Sequence, residues 1–269
     1  MPGPRHLYLH VPFCRSRCAY CAFYSTTAAT PVLLDRYCKA LLAEASEAAG
    51  DGPVETVYFG GGTPSVLGVD RIAGLLAGLR AGVPFTQDAE VTLEANPEGL
   101  APGDAAGYRD AGVTRLSLGV QSFDDADLHL LGRPHDGATA RRAVAAALDA
   151  GLRTSLDLIY GLPGRSGEQW CAQLDAAAGT GVEHLSAYEL SVEPGTPFAA
   201  RWPGGLGDRA ALFFDTHEHL ATLGFEGYEV SSFARSPGHR SRHNLATWGH
   251  RFYRGLGPGA HSFLPGADG

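Results

Sequence analysis

The sequence predicts an α/β chain built as a partial parallel barrel of six strand–helix units. Short apolar strands alternate with amphipathic or Ala-rich segments along most of the 269 residues, the pattern of right-handed βαβ units. Within several strands, apolar and polar residues alternate with a period of two, so one face is polar. An ordinary doubly wound sheet is apolar on both faces, whereas a curved sheet with a polar interior suits a polar ligand. Six units are fewer than the eight that close a complete barrel.

Strands are expected near His6–Val11, Glu55–Phe59, Ala89–Glu94, Thr114–Val120, Thr154–Ile159 and His184–Leu190. Helices are expected over roughly Pro31–Ala49, Asp70–Ala81, Pro102–Ala111, Ala138–Ala150, Gly167–Thr180 and Asp208–Leu223. Gly50, Gly82, Gly112, Gly151 and Gly224 stand where these helices end, as C-terminal glycines do. In the fourth strand, Leu116, Leu118 and Val120 oppose Ser117, Gly119 and Gln121. In the third, Val91 and Leu93 oppose Thr92 and Glu94, and in the fifth, Leu156 and Leu158 oppose Ser155, Asp157 and Ile159. After Leu223 the rhythm breaks. Tyr228–Ala234 reads as a further strand, and the tail from Arg235 is rich in Gly, Arg and His. Residues 1–225 are therefore expected to form the barrel. Residues 226–269 would begin an additional C-terminal segment, apparently truncated soon after Gly255-Leu-Gly-Pro-Gly-Ala-His-Ser262.

The chain is 44% hydrophobic and 19% charged, an ordinary globular composition. A formal charge of −8 with scattered basic residues argues against general binding to nucleic acid or anionic membranes. No apolar stretch approaches the roughly 20 residues of a membrane helix, and Met1–His10 lacks the blocks of a signal peptide. A cytoplasmic location without membrane insertion is expected. Five cysteines, three of them between Cys14 and Cys21, do not resemble a secreted disulfide framework.

Cys14-Arg-Ser-Arg-Cys18-Ala-Tyr-Cys21 directly follows the first strand. Three soft thiolates in one loop can reach three corners of an iron–sulfur cube and leave one iron open. The same spacing admits a zinc site with His10 as fourth ligand, or unconnected core thiols. Cys38 and Cys171 fall in expected helices and read as buried, inert thiols. Gly60, Gly61 and Gly62 form either a plain strand-to-helix turn or a backbone that approaches a ligand closely. Glu94, Gln121 and Asp157 share the inward parity near the C-terminal ends of their strands, where parallel barrels gather their active sites. Carboxylates there can accept from an ammonium or hydroxyl group, or belong to a buried structural network.

The segment Tyr8-Leu-His-Val-Pro-Phe-Cys14-x3-Cys18-x-Tyr-Cys21-x-Phe23 resembles the radical SAM superfamily, in its oxygen-independent coproporphyrinogen oxidase-like branch. Phe59-Gly-Gly-Gly-Thr-Pro64, Glu94-Ala-Asn-Pro97, Gly119-Val-Gln-Ser122, Asp157-Leu-Ile-Tyr-Gly-Leu-Pro163 and Gly255-Leu-Gly-Pro-Gly-Ala260 follow in that branch's order. The likeness runs from about Tyr8 to Ser262. It implies a partial (β/α)6 barrel with a [4Fe–4S] cluster on Cys14, Cys18 and Cys21, whose open iron chelates S-adenosyl-L-methionine. With an electron donor, such a cluster cleaves the sulfonium to a 5′-deoxyadenosyl radical. The resemblance implies S-adenosylmethionine contacts at Tyr8, Gly61, Glu94, Gln121, Arg133 and Asp157, with Gly62 and Thr63 beside them. Tyr20 either stacks near the adenosyl group or shields the cluster from solvent. Some relatives bind two S-adenosylmethionine molecules.

Phe23 stands where the oxidases of this branch carry a fourth cysteine. The pattern with Phe is similar to the HemW subfamily of haem chaperones. Ser241-Arg-His-Asn-Leu-Ala-Thr-Trp248 resembles that subfamily's His-Asn-x-x-Tyr-Trp segment, with Thr247 in place of Tyr. The resemblance implies haem as bound cargo and a haem acceptor protein as partner. His243 is the candidate haem contact, since imidazole is a common axial ligand, and Arg240 and Arg242 are candidate partners for propionates. Two other functions remain compatible with the residues: oxidation of coproporphyrinogen III in porphyrin biosynthesis, and a non-catalytic zinc-binding module.

Overall fold

A computed structural model describes residues 4–47, 52–202 and 209–266. The chain runs β1 (His6–Val11), α1 (Pro31–Glu47), β2 (Val54–Gly61), α2 (Val69–Gly82), β3 (Phe85–Ala95), α3 (Asp104–Ala111) and β4 (Arg115–Gln121). It continues through α4 (Asp125–Leu131), α5 (Gly137–Asp149), β5 (Arg153–Tyr160), α6 (Gly167–Ala178) and β6 (His184–Glu189). The last elements are α7 (Pro197–Arg201), α8 (Ala210–Thr222), β7 (Glu226–Gly227), β8 (Ser232–Ala234), α9 (Arg242–Trp248) and β9 (Tyr253–Leu256). All six expected strands and six expected helices are present. Ala49, Gly50 and Asp208, proposed as helix ends, lie outside the described residues.

β1 to β6 are parallel and lie in sequence order, each bonded to the next. β9 adds in parallel beyond β1, and β8 adds antiparallel beyond β6, followed by β7. The sheet does not close, which is the partial barrel that the strand pattern predicts. Leu9, Phe59, Leu93, Leu118, Leu158 and Leu185 turn outward beneath the helices and are almost fully buried. Gly112 ends α3 in the left-handed conformation at φ 102°. Gly82, expected to cap α2, is instead its last helical residue, and Val83 caps it.

The opposite parity faces inward, but it is not polar throughout. Ile159 joins Leu131, Leu162, Leu190 and Phe198 in a small apolar cluster. The strand alternation predicted a ligand-facing position for it, but the last turn of α4 and the segment around α7 cover it.

The tail holds two elements the sequence reading missed, α9 and β9. Ser241 caps α9, accepting from the Asn244 amide at 3.2 Å. The carboxylate of Glu90, 1% exposed on β3, accepts from the backbone N–H groups of Arg242 at 3.2 Å and His243 at 3.0 Å. It also receives Arg153 at 2.7 Å. An anion at a helix N-terminus satisfies donors that the helix leaves unpaired. α9 is thereby fixed across the row formed by His6, Thr56 and Glu90, which pair in register on β1, β2 and β3. Glu90→Ala leaves those buried donors without an acceptor and is expected to cost about 3 kcal/mol, read as a lower urea midpoint. Glu90→Gln, which keeps an acceptor oxygen, is expected to lose less.

Candidate functional site

The cysteine loop leaves β1 and closes on itself. The Cys14 amide donates to the Thr26 carbonyl at 2.9 Å, and the Thr26 amide donates to Pro12 at 2.7 Å. The glycine triplet at the end of β2 locks onto this loop. The Gly62 amide donates to Val11 at 2.8 Å and the Thr63 amide to Phe13 at 2.7 Å. A Cβ on Gly62 would lie 2.8 Å from the Phe13 carbonyl oxygen, so only glycine permits this approach. Gly61 has φ 108°, and a Cβ there would meet the His10 ring at 2.7 Å. The triplet is therefore both a turn and a docking strip for the loop.

Two of the three thiols meet one polar chain. Thr63 Oγ1 donates toward Cys14 Sγ at 3.6 Å, and Asn96 Nδ2 donates to Thr63 Oγ1 at 3.0 Å. Arg133 Nη2 donates to Asn96 Oδ1 at 2.7 Å and to the Gly119 carbonyl at 2.9 Å, while Nη1 points to Cys18 Sγ at 3.2 Å. Glu98 Oε2 lies 3.6 Å from the same Nη2 of Arg133. A Cβ on Gly119 would come 2.8 Å from Asn96 Oδ1 and 3.0 Å from Gln121 Nε2, so that glycine makes room for both amides. Gln121 itself has φ 67°, a left-handed conformation that a non-glycine residue holds only when its surroundings impose it.

This donor set fits an iron–sulfur cluster. Hydrogen bonds directed at cluster sulfurs stabilise the thiolate form and tune the cluster. Among the described residues, no group of three His, Cys, Asp or Glu is arranged to hold a single metal ion. His10, the candidate fourth zinc ligand, has Nε2 at 3.0 Å from the Tyr24 carbonyl. Cys38 and Cys171, expected to be buried, are half-buried on α1 and α6. Burial still pushes both thiols up, away from the reactive thiolate.

Glu94 and Asp157 lie inside the sheet, where each keeps some exposed surface but is ringed by protein. Tyr58 Oη donates to Glu94 at 2.7 Å, and Ser117 Oγ lies 3.3 Å from each Asp157 oxygen. Burial raises the Glu94 carboxyl to about 7, against a hydrogen bond from Tyr58 that lowers it; the nearby Asp157 charge raises it further. Burial likewise raises Asp157 to about 6, with Arg115 opposing. Two half-buried carboxylates to which, among the described residues, no cation is hydrogen-bonded suit a ligand that brings an ammonium and hydroxyl groups.

A cavity of about 750 Å³ opens beside Glu94. Tyr8, Tyr58 and Gly61 line it with Ala22, Phe23 and Tyr24 from the cysteine loop and His243, Thr247 and Trp248 from α9. His243 is 6% exposed. The His243 ring centroid lies 5.0 Å from that of Tyr58, and burial holds its imidazole down at about 3. Phe23 and Trp248 are exposed at the cavity's edge.

The model of the Radical SAM superfamily matches residues 8–177. The haem chaperone HemW of Mycobacterium tuberculosis (strain ATCC 25618 / H37Rv) is 45% identical over 98% of the chain and 71% of its own length. HemW of Escherichia coli (strain K12) is 41% identical over 99% of the chain and 72% of its length. The solved coproporphyrinogen III oxidase HemN of E. coli, a radical SAM enzyme, superposes with a TM-score of 0.82 at 26% identity, covering 98% of this chain and 65% of that one. The chain belongs to the radical SAM superfamily, in its HemW branch. The superfamily's [4Fe–4S] cluster and S-adenosylmethionine are thus expected cofactors of these residues.

For a radical SAM barrel, the structure gathers most of the expected positions around the cysteine loop and the sheet interior. Tyr8, Gly61 and Glu94 line the cavity, and Asp157 is close enough to Glu94 to shift it. Gly62, Thr63 and Arg133 belong to the loop-and-thiol network instead, and the Gln121 amide lies over Gly119 near that of Asn96. Tyr20, a candidate for adenosyl stacking, is not among the cavity-lining residues; its ring packs on the Ile159 cluster and its hydroxyl bonds Cys18. Arg242 is paired with Asp88 at 3.1 Å and Arg240 with Glu226 at 3.0 Å, so neither is poised for a propionate in the cavity. Asn96, Tyr58 and Thr56 were missed as site residues. Strand alternation was a signal for Thr56 and Tyr58, because both oppose Val57 and Phe59.

Asn96→Leu removes the bridge between the two thiol-directed donors. Iron and sulfide per chain after anaerobic reconstitution are expected to fall, with faster bleaching of the cluster absorbance. The carboxylates also make ligand-free stability pH-dependent. Glu94 titrates near 7 when folded against an ordinary 4.5, so the folded chain holds a proton that the unfolded chain has released. Its contribution is therefore fully present below 4.5 and lost as pH rises to about 7. Urea melts of wild type minus Glu94→Gln are expected to show that falling difference.

Proposed function

We propose that the chain is a radical SAM haem chaperone, binding haem and passing it to an acceptor protein. The observation that carries this reading is the single cavity shared by the cysteine loop and α9. In the loop that borders this cavity, Cys14, Cys18 and Cys21 would hold the cluster. Tyr8, Gly61, Glu94, Gln121, Arg133 and Asp157 would hold S-adenosylmethionine, with Gly62 and Thr63 setting the loop. When bound, the pair supplies one-electron cleavage of a sulfonium. Within the cavity, His243 presents a neutral imidazole, and Trp248, Phe23 and Tyr24 offer apolar surface for a macrocycle.

The chain's own residues impose the order of this site. The Gly62 and Thr63 amides hold the cysteine loop on β1, and Arg133 carries positive charge to Cys18. Glu94 and Asp157 accept the ligand's polar groups and exchange a proton as they do so. Phe23 replaces a fourth thiol with an exposed apolar ring, which favours haem handling over porphyrinogen oxidation. The names of the HemW relatives support the same reading. A cytoplasmic protein with its own electron donor fits this role. Among the described residues, no helix is long and apolar enough to cross a membrane.

The deciding experiment is an anaerobic absorbance titration of the reconstituted protein with haem, followed by transfer to an apo-acceptor. Saturable binding is expected, weakened roughly tenfold or more by His243→Ala if the imidazole is a ligand. Absence of haem binding, or formation of protoporphyrinogen from coproporphyrinogen III, would instead favour the oxidase reading. S-adenosylmethionine affinity is expected to rise with pH through about 7, as Glu94 ionises to meet the ammonium. Calorimetry in two buffers of different ionisation heat would record the proton released.

A further inference from the structure

His243 is held by more than its helix. Its Nδ1 lies 2.8 Å from Thr56 Oγ1, and that same oxygen lies 3.0 Å from His6 Nδ1. Thr56 is 0% exposed, His6 8% and His243 6%. Glu55 Oε2 lies 4.0 Å from His6 Nε2 on the outer side. Among the described residues, His243 Nε2 has no hydrogen bond, while the ring lines the cavity. The backbone is pinned as well, since the His243 amide donates to buried Glu90 at 3.0 Å.

A threonine hydroxyl has one proton, so it donates to one of its two histidine neighbours and accepts from the other. Two arrangements result. If Thr56 donates to His243 Nδ1, the proton of neutral His243 sits on Nε2, and no lone pair faces the cavity. If Thr56 donates to His6, it accepts from His243 Nδ1–H, and Nε2 of His243 is bare. The second arrangement requires His6 to carry its proton on Nε2. The Glu55 carboxylate stands on that side of His6 and favours that proton by its charge.

We infer that Glu55, His6 and Thr56 act as a positioning relay that fixes the tautomer of His243 and leaves its Nε2 lone pair directed at the iron of a porphyrin. This rests on the haem-binding reading above. It adds the way an otherwise ambiguous imidazole is prepared as a ligand. Histidines that bind metals commonly have their other ring nitrogen tied to an acceptor that sets tautomer and orientation. In this chain the acceptor is a buried hydroxyl, itself oriented by a second histidine. The low value of His243, about 3 from burial, keeps the ring neutral and is consistent with a metal ligand.

The test compares iron protoporphyrin IX with metal-free protoporphyrin IX, because the relay acts on iron alone. Thr56→Val keeps the shape and deletes the hydroxyl. It is expected to weaken ferric haem binding roughly tenfold or more, the usual scale for losing such a partner. The Soret band and the electron paramagnetic resonance signal are expected to shift away from wild type. Metal-free porphyrin affinity should stay unchanged. Thr56→Ser, which restores the hydroxyl, should recover both affinity and spectrum. Glu55→Gln, at a half-buried surface position, should weaken haem severalfold in the same direction and settles the matter should Thr56→Val fail to fold. Equal losses for both porphyrins would overturn the relay as a purely structural effect. So would wild-type haem affinity and spectrum in Thr56→Val or Glu55→Gln. His243→Ala separates the two levels. If it abolishes the axial-ligand signal while Thr56→Val does not, only the relay fails. If His243→Ala keeps wild-type spectrum and affinity, the assignment of His243 to haem fails with it.

Discussion

A curved sheet that turns polar side chains inward must supply most of them with partners, because an unpaired polar group away from water is costly; among the described residues Thr92 Oγ1 is left without one. This constraint shapes the interior from one end to the other. Ser155 and His184 bond across β5 and β6 at 2.6 Å, and Tyr228 meets the far nitrogen of His184 at 2.7 Å. Tyr58 reaches Glu94, and Ser117 reaches Asp157, each from a neighbouring part of the sheet. Outside, the alternate residues form one continuous apolar core beneath the helices. The strand period of two thus creates two chemically distinct faces from the same six strands.

The same constraint explains why the two ends differ. Toward the cysteine loop, burial holds two carboxyls well above their ordinary range. Sites with such displaced values are where ligands and protons are handled. At the ends where the strands begin, the tail itself completes the bonding. Glu90 satisfies the N-terminus of α9, and Thr56 satisfies His243. That segment is therefore part of the barrel's polar accounting, and it brings Trp248 and His243 to the cavity as a consequence.

Much of this was legible in the residues. The alternation of Val91, Thr92, Leu93 and Glu94 gave the inward carboxylate, and the spacing of Cys14, Cys18 and Cys21 gave the loop. Other features were not. α4 and α9 are seven residues each, too short for a helical period to stand out. The segment around His243 marked that residue as the candidate haem contact, but not that it is buried, whereas His239 pairs with Glu183 at the surface. Arg240 and Arg242 seemed free to meet an anion, but Glu226 and Asp88 already engage them.

By itself, the sequence determined the six strand–helix units, the two faces of the sheet, the cysteine loop and the family to which they belong. Those depend on local periodicity and on short, ordered motifs. Only the tertiary structure decided which donors reach the thiols and which groups hold His243. Asn96 meets Arg133 across 37 residues, and Thr56 meets His243 across 187. Such pairings follow from sheet register and from the one buried carboxylate that anchors α9, and no local pattern encodes them.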